Sequence, residues 1–310
     1  TSPQVGSLVY AYSQLPVPGA HEDDASSQAG QRELVELLCT LSAVGKVAGS
    51  AGGAEDGVWE VRLRVSGGHQ AYMVRRIDDL VGAWERGETR SYGRNLTFSH
   101  NRESFSDRAN AVLEIVARIL HSQEAARSGS RSSASTATFG VNPKVLSLSD
   151  GDAVELLDAL QGAQIQFEPR GGVPGRPRTL TVTQGQPALE LTLEHGERGG
   201  YDLVLPAGVD CVLTHRSMYL LLDGCAIRCP DAYRARMGTF CRTALPASSP
   251  LHIRKDDLAG FCATVLPVLK ELAEVAVPDD LEVLLPPPAA LSFKFSLVRG
   301  CVTCEAVATY

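Results

Sequence analysis

Residues 58–87 read VWEVRLRVSGGHQAYMVRRIDDLVGAWERG. From Val58 to Val65 apolar residues alternate with charged ones, the period of a strand with one buried face. Gly67-Gly68 breaks the run and Gln70 to Val74 resumes it, so the turn chemistry predicts a hairpin. A helix is then predicted over Ile77 to Glu85, stopping near Gly87. Antiparallel strands and a helix in one block set the class as α+β, with antiparallel sheets and packed helices.

The same reading extends in both directions. Downstream, Ser106 to His121 places Ala109, Val112, Leu113, Val116 and Leu120 on one helical face. Residues 122–140 are rich in Ser, Ala and Gly and read as a flexible loop or a seam between two lobes. Ser149 or Asp150 then caps a helix that Gly162 stops. Residues 165–229 run through TLTVTQ, ALELTLE, YDLVLP, CVLT and MYLLLDGCAIRC, in which Asp223-Gly224 is a strong hairpin signal. A helix starts at Pro230 or Asp231. Another starts at Asp256 and runs through Phe261, Val265, Leu269 and Leu272, with a kink expected at Pro267. A last hairpin turns at Arg299-Gly300. Upstream, Leu34, Leu37, Leu38 and Leu41 recur at helical spacing, so a helix is expected over Gln31 to Leu41. Residues 1–30, rich in Pro, Gly, Ser and Gln, read as a linker. The organisation expected is a linker and lead-in helix over 1–54, an N-terminal α+β lobe over 55–121, the seam at 122–140, and a larger β-rich α+β lobe over 141–310.

Composition narrows the class. Of 310 residues, 44% are hydrophobic and 21% charged, enough apolar material for a substantial core. The longest apolar runs, near Tyr219–Leu222 and Leu281–Leu285, fall far short of the roughly 20 residues of a membrane span, so no membrane partner is expected. No secretory signal opens the chain. The eight cysteines sit mostly inside apolar segments and read as reduced thiols of a cytoplasmic protein. Thr1 opens the chain and a strand-like segment ends it at Tyr310, so both ends read as cuts within a longer protein. The net charge is −7, with −6 over residues 1–60, −5 over 256–310 and +4 between them. A chain-wide nucleic-acid binder is usually basic overall, so only a local basic face is available here.

Motifs for catalysis are absent from the sequence. No G-x-x-x-x-G-K-[ST] loop occurs, and the GGVPG of residues 171–175 has no Lys-Ser/Thr to hold a triphosphate. No histidine falls in H-E-x-x-H and no serine in G-x-S-x-G. Asp150, Asp152 and Glu155 lack the later ligands of a calcium loop and read as helix-capping residues. Cys225/Cys229 and Cys301/Cys304 superficially suggest zinc. On a strand the first pair spans roughly 13 Å and the second faces opposite sides, too divergent for one ion with thiolates near 2.3 Å. No catalytic residue, metal or cofactor is therefore assigned. The main local grouping with binding chemistry is Arg75, Arg76, Arg86, Arg90 and Arg94, with Tyr92 and Phe98 interleaved. Arginines pair with phosphates and aromatic rings stack on bases. Asp78, Asp79, Glu85 and Glu88 share the segment, so an ordinary solvated face of salt bridges accounts for the same pattern. Arg170, Arg176 and Arg178 form a second, similarly weak basic stretch.

Two stretches carry a family resemblance. One is VRLRVSGGHQAYMVRRIDDLVGAWERGETRSYGRNLTFSHNRESFSDRANAVLEIVARIL, residues 61–120. The other runs from MYLLLDGCAIRC through DDLAGFCATVLPVLKELAEV to LSFKFSLVRGCVTCEAVATY. Together they resemble the bacterial Swi/Snf-family helicase-associated domain, over about residues 55–310. The shared features include the hairpin before a short helix, the Leu96–Phe98 strand, the hairpin ending in Arg-Cys, the F-x-x-x-x-L-P helix and a closing hairpin ending in Tyr. The resemblance implies a non-catalytic accessory or regulatory domain of an ATP-dependent helicase or translocase, positioning nucleic acid or a partner relative to the motor. It places the domain between a SWIM zinc finger and the ATPase motor, so those segments of the same parent are its expected partners, with DNA or RNA beyond them. Direct nucleic-acid binding by the local basic face, and protein–protein interaction, are the alternatives.

Overall fold

The computed structural model describes residues 34–44, 58–67, 70–129, 142–169, 177–245, 250–282, 290–298 and 301–309. Mixed α and β elements with mostly antiparallel pairing make this an α+β fold. β1 (Glu36–Val44) and β2 (Val58–Gly67) pair antiparallel along their whole shared length. The far edge of β2 is shared: β3 (Gln70–Met73) takes its C-terminal half and β6 (Leu146–Leu148) its N-terminal half. Between these lie α1 (Ile77–Arg86), the small hairpin β4 (Thr89–Tyr92) and β5 (Leu96–Ser99), and α2 (Asp107–Gly129). Then follow α3 (Asp150–Ala159), β7 (Gln164–Glu168) and β8 (Arg178–Gln184).

The predicted hairpin at residues 58–74 and the helix after it are present, and Gly87 ends α1 in the left-handed conformation. Ser149 caps α3 in a full capping box: its side chain accepts from Asp152 N–H, and Asp152 accepts back from Ser149 N–H. Of the acids expected to cap the helix, Asp152 does so. Asp152 and Glu155 also pair with Arg118, and Asp150 accepts a 2.6 Å bond from the Trp59 indole.

Residues 36–44 correct the helix expected over Gln31 to Leu41. They are a strand, although the leucine spacing fits a helix. The buried residues are the alternating Leu37, Cys39 and Leu41, while Leu34 and Leu38 remain 49% and 37% exposed. Nine backbone pairs to β2 on one edge and a parallel pairing with β7 on the other override the local spacing. The second departure is α2, which continues through residues 122–129, where a flexible loop was expected. The rest of 122–140 lies outside the described residues, as do the lead-in at 1–33 and the GGVPG loop.

β9 (Glu190–His195), β10 (Tyr201–Val204), β14 (Leu251–Ile253) and β15 (Glu274–Ala276) form a second sheet, ordered β14-β10-β9-β15. β11 (Asp210–Leu213), β12 (Met218–Leu221) and β13 (Cys225–Arg228) return to the first, making it nine-stranded in the order β11-β12-β13-β8-β7-β1-β2-β3 with β6 at the side. That sheet takes strands from both sides of residues 122–140. The expectation of antiparallel sheets holds for most pairs, with β1–β7, β13–β8 and β15–β9 parallel instead.

The helical tail differs from expectation at one point. α4 (Asp231–Ala244) begins where predicted. The next helix is interrupted: α5 (Lys255–Gly260) passes into a π-helical turn over Phe261–Val265 before α6 (Leu266–Leu272). Pro267 sits in the first turn of α6, and its missing N–H falls where the π-helical turn passes into α6, so the irregularity lies just before it. α7 (Asp279–Glu282) and the hairpin β16 (Ala290–Val298) and β17 (Cys301–Thr309) follow.

Two apolar cores result. The first lies under α1, α2 and α3 and includes Trp59, Leu63, Leu113, Leu157 and Phe167. The second lies between the small sheet and α4 and α6, with Leu191, Leu203, Met237 and Leu269. Strand β12 belongs to both. Tyr219 and Leu221 enter the first core, Met218 and Leu220 the second, and all four are fully buried. Alternation along a strand sends neighbours to opposite faces, so an unbroken apolar run marks a strand covered on both sides. Leu220→Ala and Leu221→Ala should each destabilise the protein by about 2–5 kcal/mol, through different cores. Because the strand is shared, far-UV and near-UV circular dichroism should report one coincident, downshifted melt for both variants. Two separated melts in either variant would show that the cores unfold independently.

Candidate nucleic-acid interface

The five arginines and Tyr92 singled out in the sequence come from the segment that links β3, α1 and the β4–β5 hairpin. Arg75, Arg76, Arg90 and Tyr92 line one open groove of about 620 Å³, together with Tyr72, Met73, Leu80 and Gly93. Arg86 and Arg94 do not line it. Arg86 lies at the C-terminal end of α1 and Arg94 in the turn between β4 and β5.

Packing behind the groove holds its walls. The Trp84 indole on α1 donates to the Asn110 side chain on α2 at 3.1 Å. Asn110 is buried, and its amide donates to the carbonyls of Arg102 and Phe105. One asparagine thus joins α1, α2 and the loop between β5 and α2. The α1 N-terminus is held by Ile77 N–H donating to the Pro143 carbonyl at 3.0 Å.

An aromatic stack anchors the hairpin wall. The Phe98 and His100 rings stack with centroids 4.3 Å apart, Tyr92 stacks on both, and Phe105 meets them edge-on. Tyr92 Oη and His100 Nε2 share a 2.8 Å hydrogen bond. Burial pushes the Tyr92 phenol up to about 12. Burial also pushes His100 down, opposed by the backbone carbonyls of Phe98 and Glu88, so its neutral form is favoured. The Tyr92 ring is therefore a fixed wall, its hydroxyl already engaged.

Three of the five arginines carry carboxylate partners, as the mixed charge of the segment suggested. Arg76 pairs with Asp78 at 2.5 Å and Asp79 at 3.2 Å. Glu88 bridges two arginines, accepting from Arg86 Nε at 2.6 Å and from Arg90 Nη2 at 2.9 Å. Among the described residues, Arg75 and Arg94 have no ion pair. Tyr72 escaped the sequence reading because it lies in the β3 strand, apart from the arginine run. The alternation of residues 70–74 was the only available signal. In the second basic stretch, Arg170 and Arg176 lie outside the described residues, and Arg178 sits on β8 against the backbone at Gly208.

Elsewhere the chemistry is that of a core. Burial pushes the thiols of Cys39, Cys229 and Cys241 up to about 12, so they act as apolar core groups. Among the described residues no group of three or more His, Cys, Asp or Glu is placed to hold a metal ion. Among them, too, no helix is long and apolar enough to cross a membrane.

The Glu88 bridge gives a direct check of the arginine geometry. Hydrogen bonds from Arg86 and then Arg90 hold its carboxyl down to about 2, below the ordinary 4.5. A depressed carboxyl stabilises the fold above its ordinary value, and that contribution is lost as pH falls through about 2. Side-chain carboxyl NMR should place the Glu88 midpoint near 2, moving upward in Arg86→Ala or Arg90→Ala. A midpoint at the ordinary value in the unsubstituted chain would mean that neither guanidinium engages it.

No curated protein and no solved structure matches this chain. A family model does: bacterial SNF2 helicase associated, over residues 144–310. The match begins at the entry to β6 and runs through the shared strand β12, the second core and the last hairpin, covering just over half of the chain. The groove residues precede it. Matched over that length, the chain belongs to the bacterial SNF2 helicase-associated family.

Proposed function

We propose that this domain is a non-catalytic accessory part of an ATP-dependent SNF2-family helicase or translocase, and that it positions nucleic acid relative to the motor. Membership of the helicase-associated family makes its role helicase-associated. The positioning role rests on one observation: Arg75, Arg76 and Arg90 converge with two tyrosines on a single braced groove. Guanidinium groups supply phosphate contacts and tyrosines supply stacking surfaces, the two contacts that hold a strand without reading its sequence. The acidic net charge is compatible with this, because what a ligand meets is the local field of the groove rather than the sum over the chain. The expected partners remain the motor and zinc-finger segments of the same parent, with DNA or RNA as the substrate that they share.

The test uses the full-length helicase with and without residues 55–310. Removing them should change the nucleic-acid concentration that half-saturates ATPase activity and should lower translocation, while basal ATP hydrolysis persists. Unchanged nucleic-acid stimulation and unchanged translocation in the deleted protein would exclude the role. The 310-residue chain by itself is expected to show no nucleotide turnover.

A further inference from the structure

We infer that the groove accepts an unpaired nucleotide of a single-stranded nucleic acid, with Arg75 and Arg90 on its phosphates and Tyr72 stacked on its base. The inference deepens the proposed positioning role and rests on it. At about 620 Å³ the groove falls within the roughly 300–1,000 Å³ typical of clefts that enclose small ligands.

Its aromatic wall is set before any ligand arrives. Tyr72 and Tyr92 lie with ring centroids 6.4 Å apart, tilted by 38°. Behind Tyr92 stands the stack with Phe98 and His100. Tyr72 is braced by the turn: a Cβ at Gly93 would come 2.5 Å from its Cε1. Gly93 has φ 59°, so a side chain there would be strained as well as obstructed, and the bare turn is what lets the tyrosine ring lie over it. The Tyr72 hydroxyl donates to Gln70, whose amide oxygen also accepts from Asn95 on the same turn at 3.5 Å. A ring held in place loses little freedom on stacking.

The cations can be reached. Arg75 is exposed and carries no ion pair among the described residues. Arg90 directs Nε and Nη2 to one Glu88 oxygen, at 3.3 and 2.9 Å. Arg76 is engaged by Asp78 and Asp79, and Asp79 is the carboxylate that lines the groove. Phosphate binding therefore falls to Arg75 and Arg90. Arg90 and Glu88 are both partly exposed, so a phosphate oxygen can take the place of the Glu88 carboxylate on the guanidinium.

Base accessibility selects the single strand. A duplex keeps its base faces inside its own stack and offers a groove only its phosphates. An unpaired base can turn into the groove and cover an aromatic ring. Dependence on Tyr72 thus separates the two modes, because both use the arginines.

The experiment measures fluorescence anisotropy of labelled oligo(dT), oligo(U) and a mixed-sequence duplex of equal length against the 310-residue chain, across a salt series. Both single strands should bind more tightly than the duplex. A preference between oligo(dT) and oligo(U) then assigns DNA or RNA. Tyr72→Ala should weaken single-strand binding about tenfold and leave any duplex binding unchanged, and Tyr72→Trp, which retains an aromatic face, should restore it. Arg75→Ala should reduce the salt slope by about one phosphate contact. Arg216→Ala, in the turn between β11 and β12 at the opposite edge of the large sheet from β3, should change nothing. The inference is overturned if no oligonucleotide binds at low salt, or if the duplex binds as well as the single strands. It is also overturned if Tyr72→Ala has no effect, or if polyglutamate displaces oligo(dT) as well as unlabelled oligo(dT) does, which would mark an acidic-peptide groove. Any of these, alongside altered ATPase stimulation in the deleted helicase, leaves the accessory role standing and removes only the single-strand assignment.

Discussion

Strand β12 serves two cores with four side chains, and the arrangement of the remaining layers follows from it. Tyr219 and Leu221 complete the core beneath the helices, while Met218 and Leu220 complete the core against the small sheet. A shift of register by one residue would exchange the two sets and put the tyrosine hydroxyl into the apolar second core. That hydroxyl is held where it stands, donating to Asp158 at 2.6 Å and accepting from Gln161 at 2.6 Å. Asp158 is also reached by Arg228, the residue opposite Tyr219 on β13. Burial, followed by the bond to Asp158, raises the phenol well above its ordinary value, so it stays a neutral donor. Polar bonds at one end of the strand thus select the register that the apolar faces require.

The groove follows the same logic at smaller scale. The β4–β5 hairpin is a separate two-stranded ribbon, and two strands alone are marginal in water. It is held by the stack of Tyr92, Phe98, His100 and Phe105 and by Leu96 lying against Gly67. Asn110 brings α1 and α2 to the same place. The arginines stand on this frame, most of them partly neutralised by nearby acids. The result is a modest cationic face on an acidic chain, its charge partly offset by its own carboxylates.

Much of the fold was legible because its signals are local. The alternation of β2 and β3, Asp223-Gly224, the Ser149 capping box and Gly87 each act within a few residues of themselves. Where the reading failed, a distant partner decided. The leucines of residues 34–41 have helical spacing, yet β2 and β7 draw residues 36–44 into a strand. At the site, the arginine run was visible from its composition, but the partners of each arginine and the approach of Tyr72 to Gly93 were not.

What the amino-acid order determined alone is the class of elements, most of their turns and caps, and the grouping of arginines with Tyr92 along residues 75–94. These depend on backbone preferences and on hydrophobic period, which operate over one or two turns of chain. The tertiary structure decided which strands lie in parallel, that one strand closes two cores, and which arginines face a common groove. Those outcomes arise from hydrogen-bond ladders and burial between segments far apart in sequence, as where Tyr219 meets Asp158 and Gln161, and no local pattern encodes such a meeting.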